Sequence, residues 1–162
     1  YVNEVFAMAN GETKVITVST INKKMDRYQY LDILKNQMEP YAFGNMPVSF
    51  TFMQDNDPKH TSKLVKSGFL KKTSHVLDWP AQSPDLNPIE NLFNDVKCTI
   101  AKHKYKNLDD LWTGIQNAWF SIPKERCQNL IQGMPRRCQA VLENKGYTTK
   151  YWPGKLKILL FV

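Results

Sequence analysis

Cysteine is scarce in this chain, and long apolar runs are absent from it. The 162 residues contain three cysteines, Cys98, Cys127 and Cys138, an odd number without close spacing. This pattern argues against a disulfide framework or a zinc cluster and favours a reducing compartment. The terminal run KILLFV (157–162) is too short to cross a bilayer, and no other run approaches that length. We therefore expect no membrane partner.

Acidic residues are outnumbered by basic ones. Lys and Arg total 22 against 15 Asp and Glu, so the formal net charge is +7. Because phosphates attract dispersed Lys and Arg, this charge favours a polyanionic partner, with an ordinary basic protein as the alternative. A hydrophobic content of 42% and an aromatic content of 12% indicate one globular domain with a real core rather than disorder.

Apolar periodicity predicts strands and helices in the first part of the chain and only helices towards its end. Asn10-Gly11 separates two β-prone runs, 5–9 and 13–20, and predicts an antiparallel hairpin. A helix is predicted from Met25 to about Pro40, with the apolar stripe Tyr28, Leu31, Ile33, Leu34 and Met38. The further predicted elements are a buried strand at 48–53, a basic helix at 60–72 with Leu64, Val65 and Leu70 inward, a strand at 75–79, a helix at 89–103, and later helices around Leu108–Trp119, Cys127–Ile131 and up to Glu143. This order indicates an α/β core with a helical C-terminal end.

Two carboxylates stand at positions where an α/β fold often binds ligands. Asp55 follows the predicted buried strand, and Glu90 lies near the start of a helix, with 34 residues between them. If they meet, they suit Mg²⁺, which prefers oxygen ligands. The alternative is structural, since Asp55 suits a turn and Asn87-Pro88-Ile89-Glu90 reads as a capping box with Pro at the first helical position.

Lys97 and His60 are further candidates. Lys97 follows Glu90 by seven residues and so shares its helix face, where it can reach a phosphate or remain a solvated lysine. His60 can contact DNA, orient a carboxylate or satisfy a loop.

Four blocks carry a family resemblance. They are QDNDPKHTS, VLDWPAQSPDLNPIENLFNDVK, MPRRCQAVLENKGYTTKY and, upstream, MDRYQYLDILKNQMEPYA. Together they resemble the catalytic domain of a mariner-superfamily transposase of the Tc type, from about Gly11 to Tyr151. The resemblance implies a ribonuclease-H-like α/β fold of the integrase and transposase type, a mixed sheet with helices.

The resemblance also implies a site and a chemistry. The family cuts DNA with an Asp, Asp, Glu triad that holds two Mg²⁺ ions, with Mn²⁺ as a substitute. Asp55 matches the second Asp and Glu90 matches the Glu, both as catalytic residues and metal ligands. The implied partner is DNA, as transposon ends and target, in the nucleus, with homodimerisation of the complete protein left open. The candidates for DNA contact are Lys59, His60, Lys63, Lys97, Lys102, Lys104, Arg136 and Arg137.

The two ends of the chain depart from the family pattern. YVNEVFAMAN lacks the expected Trp-Gly pattern, and the family's first catalytic Asp and its helix-turn-helix modules lie upstream of the segment matching Tyr1. Asp26 and Asp32 fall in or beside a helix and cannot replace that Asp. We therefore expect a partial catalytic domain at 1–151 that lacks its first strand, followed by a non-family tail at 152–162.

Two functions remain open at this point. One is a piece of a transposase, inactive alone without the first Asp; the other is a catalytically dead remnant that binds nucleic acid or protein. Because the missing strand is central in the fold, we also expect the 162 residues alone to be marginally stable and prone to association.

Overall fold

The computed structural model describes residues 2–9, 12–20, 25–46, 50–70 and 75–151, the strands within 2–20 by their backbone. It divides into two compact units, Tyr1–Gln82 and Ser83–Val162. The expected tail at 152–162 and the predicted turn at Asn10-Gly11 lie outside the described residues.

The first unit contains two strand pairs. β1 (Val2–Ala9) and β2 (Glu12–Thr20) run antiparallel, as predicted, with a register shift between Val5 and Phe6. β3 (Thr51–Phe52) pairs in parallel with β4 (His75–Val76), and both are shorter than the runs predicted at 48–53 and 75–79. The parallel pair extends by one further hydrogen bond of 2.8 Å, from the Leu77 amide to the Phe52 carbonyl. Phe52 itself is buried in the core of this unit.

The first helical segment extends beyond its predicted end. α1 (Arg27–Ile33) begins at a capping box formed by Asp26 and Gln29, passes through a π-helical turn (Leu34–Met38) and continues as α2 (Glu39–Asn45). Pro40 does not stop the helix because it follows the π-helical turn, where the regular α-helical hydrogen-bond pattern is already interrupted.

The apolar stripe of this segment differs from the predicted one at a single position. Tyr28 is 65% exposed, whereas Tyr30 is 8% exposed and belongs to the core. Tyr30 precedes Ile33 and Leu34 by three and four residues, which is the spacing of one helical face. The buried core of the unit consists of Tyr30, Leu31, Ile33, Leu34, Met38, Ala42, Phe52 and Val65.

The predicted basic helix is present as a short α3 (Lys63–Val65) followed by a π-helical turn (Lys66–Leu70). Ser62 caps it by accepting a hydrogen bond from the Val65 amide. Val65 is fully buried and Leu64 packs against the same core, as predicted. The side chain of Leu70 lies outside the described part of the chain.

The second unit consists of helices in its described part. These are α4 (Pro88–Ile100), α5 (Leu108–Phe120), α6 (Lys124–Gln132) and α7 (Met134–Glu143). Leu92 and Val96 of α4 and Trp119 of α5 are buried, and the Phe93 ring lies 5.9 Å from the Trp119 ring. Arg126 of α6 donates two hydrogen bonds to Asp95 of α4, of 2.7 and 3.2 Å. The predicted helices of this region are confirmed. Within the described part of the chain, no helix has the length and apolar character of a membrane span.

Candidate active site

Asp55 lies just beyond the carboxyl end of β3, at the edge of the parallel strand pair. Its side chain is 55% exposed, and Oδ1 accepts a hydrogen bond of 3.1 Å from the Asp57 amide. This is the edge at which α/β sheets commonly bind ligands. The carboxylate is therefore both anchored by the backbone and open to a ligand.

His60 holds the same carboxylate from the side. Its Nδ1 lies within hydrogen-bond distance of Asp55 Oδ1, and because a carboxylate only accepts, Nδ1 is the donor. This hydrogen bond is the main reason that the pKa of Asp55 lies below its ordinary value, although partial burial acts in the opposite direction. Asp55 is consequently ionised near neutral pH, which is the state that binds a cation.

A buried tyrosine supports this histidine. The Tyr30 ring lies 4.0 Å from the His60 imidazole, centroid to centroid, and its hydroxyl donates to Gln54 Oε1 at 2.9 Å. Gln54 in turn donates to the His60 carbonyl at 3.3 Å. Burial, followed by the negative charges of Asp55 and Asp57, raises the pKa of Tyr30, so its hydroxyl stays a donor. The sequence prediction missed Tyr30, although its spacing to Ile33 and Leu34 marks the buried helix face.

Lys59 is engaged inside the same loop. Its amide donates to Asp57 Oδ1 at 3.0 Å, and its ammonium group forms an ion pair with Asp57 Oδ2. Burial acts to raise the pKa of Asp57, but the hydrogen bonds from Lys59 outweigh it and the pKa lies below the ordinary value. Asn56 closes the loop by donating to the Trp79 carbonyl at 2.6 Å.

Glu90 lies in the first turn of α4, in the second unit. Asn87 caps this helix by accepting a hydrogen bond of 3.2 Å from the Ile89 amide, and Pro88 occupies the first helical position. The Asn87 cap and the Pro88 start were both predicted. The positive end of the helix dipole favours a negative side chain at this position.

The basic residues predicted to contact DNA fall into two groups. Arg137 is 6% exposed, and its guanidinium hydrogen-bonds the Asp85 carbonyl and Asn91 inside the second unit, which favours a structural role over phosphate contact. His60 likewise faces Asp55 and Tyr30, and its Nε2 is buried without a hydrogen-bond partner among the described residues. The exposed residues of the set are Lys63, Lys97, Lys102, Lys104 and Arg136.

The carboxylates of Asp55 and Glu90 suit a hard divalent cation, but they supply only part of the ligands that such an ion needs. Asp55 and Glu90 offer carboxylate oxygens, which Mg²⁺ prefers, and such sites are often completed by substrate phosphates and water. Across 25–46, 50–70 and 75–151, no group of three or more His, Cys, Asp or Glu side chains is placed to hold a metal. Asp55 belongs to the first unit and Glu90 to the second.

Comparison with known proteins identifies similar chains. Residues 2–112 match the family described as DDE superfamily endonuclease. The chain is 47% identical over 131 residues to the transposable element Tc1 transposase of Caenorhabditis elegans, covering 81% of this chain and 48% of that protein. It is 44% identical over 141 residues to the transposable element Tcb1 transposase of Caenorhabditis briggsae, covering 87% and 52%. The chain thus spans about half the length of the curated relatives it matches.

A solved structure has the same fold. The Mos1 transposase catalytic domain, solved with raltegravir and Mg, matches with a TM-score of 0.74 over 92% of this chain and 84% of that one. At 19% sequence identity this likeness concerns the fold alone. The ribonuclease-H-like fold class predicted from the sequence is confirmed.

Proposed function

The chain belongs to the DDE superfamily endonucleases, and from this premise we propose that it forms part of the catalytic domain of a Tc-type DNA transposase. The proposed reaction is cleavage of phosphodiester bonds at transposon ends, followed by attack of the freed 3′-hydroxyl on target DNA. The observation that carries the proposal is the placement of Asp55, an ionised and half-exposed carboxylate at the carboxyl edge of parallel strands. Because the substrate is DNA, the nucleus is the proposed site of action.

Asp55 and Glu90 are the proposed ligands of divalent metal. Bound Mg²⁺, or Mn²⁺ in its place, would polarise the phosphodiester and lower the pKa of bound water. His60 orients Asp55 through Nδ1 and keeps one carboxylate oxygen engaged, so the other is left to face the ligand. Tyr30 fixes the imidazole plane, and Gln54 ties the loop to that tyrosine.

The exposed lysines of the second unit are the proposed phosphate contacts. Lys97 follows Glu90 by two helical turns on α4, and Lys102 and Lys104 follow the end of the same helix. All three side chains are exposed. Their charges position the DNA backbone and carry no information about base sequence.

The first test substitutes the proposed metal ligands in the full-length protein encoded by the gene. Glu90→Gln and Asp55→Asn keep the side-chain size and remove the charge, so we expect Mg²⁺-dependent cleavage of DNA carrying the element ends to fall to background. Glu125→Gln is the matched control, because Glu125 is also a glutamate in the first turn of a helix, and we expect it to cleave normally. Cleavage at the normal rate by Glu90→Gln would remove Glu90 from the site.

A second candidate function is DNA binding without catalysis. It is favoured by the net charge of +7 and by the exposed lysines at positions 63, 97, 102 and 104. The cleavage assay described above also distinguishes the two functions when DNA binding is measured alongside it. Salt-sensitive binding of DNA by the unsubstituted protein, with no cleavage in Mg²⁺ or Mn²⁺, would establish the binding function and reject the catalytic one.

A further inference from the structure

Arg137 is a charged side chain buried inside the second unit. Its residue is 6% exposed, while the neighbouring Arg136 on the same helix is exposed. Nη1 donates to the Asp85 carbonyl at 2.9 Å, and Nη2 donates to Asn91 Oδ1 at 3.2 Å. Burying a guanidinium is costly unless it is well paired, so these two hydrogen bonds define its place in the unit.

The two acceptors of Arg137 lie on either side of the start of α4. Asp85 belongs to the turn before the helix, and Asn91 directly follows Glu90 in its first turns. The turn itself contains two local hydrogen bonds of 3.2 Å, from the Leu86 amide to the Ser83 carbonyl and from the Asn87 amide to the Pro84 carbonyl. The guanidinium therefore spans the segment that carries Glu90 and holds both of its ends.

A second contact anchors the same turn. The Thr149 hydroxyl donates to Asp85 Oδ2 at 3.0 Å and accepts a hydrogen bond of 3.1 Å from the Tyr151 amide. The Tyr151 ring lies 5.1 Å from the Arg137 guanidinium carbon, within the range of a cation–π contact. The segment 149–151 thus closes over Arg137 and Asp85 together.

We propose that Arg137 is a positioning residue for Glu90: it locks the Asp85 turn and Asn91, and thereby sets where α4 begins and how Glu90 is presented. The inference rests on the proposed function, since it assigns Arg137 a part in presenting the proposed catalytic carboxylate. The proposal gives a role in the site to a buried arginine that lies 47 residues after Glu90 in the chain.

The geometry requires arginine rather than lysine. A guanidinium presents several N–H donors in a rigid planar fork and can satisfy two separated acceptors at once, whereas an ammonium group is a compact point charge. Asn91 Nδ2 is buried and has no hydrogen-bond partner in the part of the chain that is described. The amide of Asn91 is therefore held through its oxygen, by Arg137.

The test compares Arg137→Lys with Arg27→Lys in the full-length protein, because Arg27 is an exposed arginine of α1 outside the residues predicted to contact DNA. Hydrogen exchange of the backbone amides from Leu86 to Leu92 is followed by mass spectrometry, and DNA cleavage is measured at saturating DNA together with DNA affinity. For Arg137→Lys we expect faster exchange confined to this segment and a cleavage rate lower by about 10- to 100-fold, with unchanged DNA affinity. Arg27→Lys, the matched control, leaves the exchange and the cleavage rate at their normal values.

Three other results would overturn the proposal. Normal exchange and cleavage in Arg137→Lys would show that the fork is not needed. Weaker DNA binding with normal exchange at 86–92 would make Arg137 a phosphate contact. Faster exchange across α5, α6 and α7 as well would make it a general stabiliser of the unit.

The proposal can still be tested if Arg137→Lys does not fold or if the unsubstituted protein cleaves no DNA. If Arg137→Lys does not fold, Thr149→Val removes the hydroxyl that holds Asp85 while keeping the side-chain shape, and the same local change in exchange is expected; its absence overturns the proposal. If the unsubstituted protein cleaves no DNA, the proposed function fails, and exchange at 86–92 alone decides whether Arg137 positions the start of α4.

Discussion

At the scale of single residues, the direction of each pKa shift follows from whether a partner stabilises the charged form. Asp55 is partly buried, yet the hydrogen bond from His60 outweighs burial and its pKa is lowered. Cys127 is 5% exposed, and burial raises its pKa more than the charge of Arg126 lowers it. Asp55 is thereby kept charged, and Cys127 is kept neutral within the packing of α6.

The burial of Cys127 predicts a difference in thiol reactivity. The thiolate is the nucleophile, and a raised pKa leaves less of it at any given pH, so Cys127 should react at least about tenfold more slowly with iodoacetamide at pH 8 than the exposed Cys98 and Cys138. Mass spectrometry of the alkylated peptides measures the three rates. In urea all three should react alike, and rapid native labelling of Cys127 would contradict its placement.

At the scale of secondary-structure elements, polar side chains cap the start of α1, α3, α4 and α5. Asp26 caps α1, Ser62 caps α3, Asn87 caps α4 and Asn107 caps α5, each through side-chain acceptance of a backbone amide. Such caps satisfy amides that have no partner inside the helix. In α4 this matters for the candidate site, because the cap at Asn87 sets the turn in which Glu90 lies.

The cap of α5 gives a measurable contribution to stability. Asn107 Oδ1 accepts a hydrogen bond of 2.8 Å from the Asp110 amide, so Asn107→Ala should lower the free energy of unfolding by about 1 kcal/mol. Asn117→Ala is the matched control, an exposed asparagine inside the same helix where alanine is the better helix former. Urea unfolding followed by circular dichroism compares them, and equal stabilities would show that the cap contributes nothing.

At the scale of the whole molecule, the excess of positive charge bears on the choice of partner. The chain carries 22 basic and 15 acidic residues, and Lys63, Lys97, Lys102 and Lys104 are exposed. Charge of this kind supports contact with DNA phosphates irrespective of base sequence. The same charge serves both the catalytic and the binding function proposed for the chain.

This charge predicts steeply salt-dependent DNA binding. With about four phosphate contacts, the affinity for random-sequence duplex should fall by about 100-fold between about 50 and 200 mM salt, as counterions are released. Fluorescence anisotropy over a salt series measures the slope. Lys97→Gln and Lys102→Gln should each reduce the magnitude of the slope by about 0.9, whereas Lys35→Gln, an exposed lysine outside the predicted set, should change it less. A slope near zero would contradict phosphate binding.

Local patterns in the sequence predicted the elements and the candidate carboxylates. Apolar spacing located α4 to α7, and Asn87-Pro88 marked the start of the helix that carries Glu90. These features are readable because helix periodicity, caps and turns involve residues within about four positions of one another. The resemblance of QDNDPKHTS and of the block around Glu90 to known transposases singled out Asp55 and Glu90 as the pair to test.

Only the tertiary structure decided which side chains support that pair. Tyr30 meets Gln54 across 24 positions, and Arg137 meets Asp85 across 52. Such contacts depend on how helices and loops pack, and the spacing of apolar residues within one helix does not predict them. The sequence by itself therefore determined the family, the helices and the choice of Asp55 and Glu90 as candidates. Packing decided that Tyr30 lies against His60 and that Arg137, predicted to contact DNA, is buried beside the turn before Glu90.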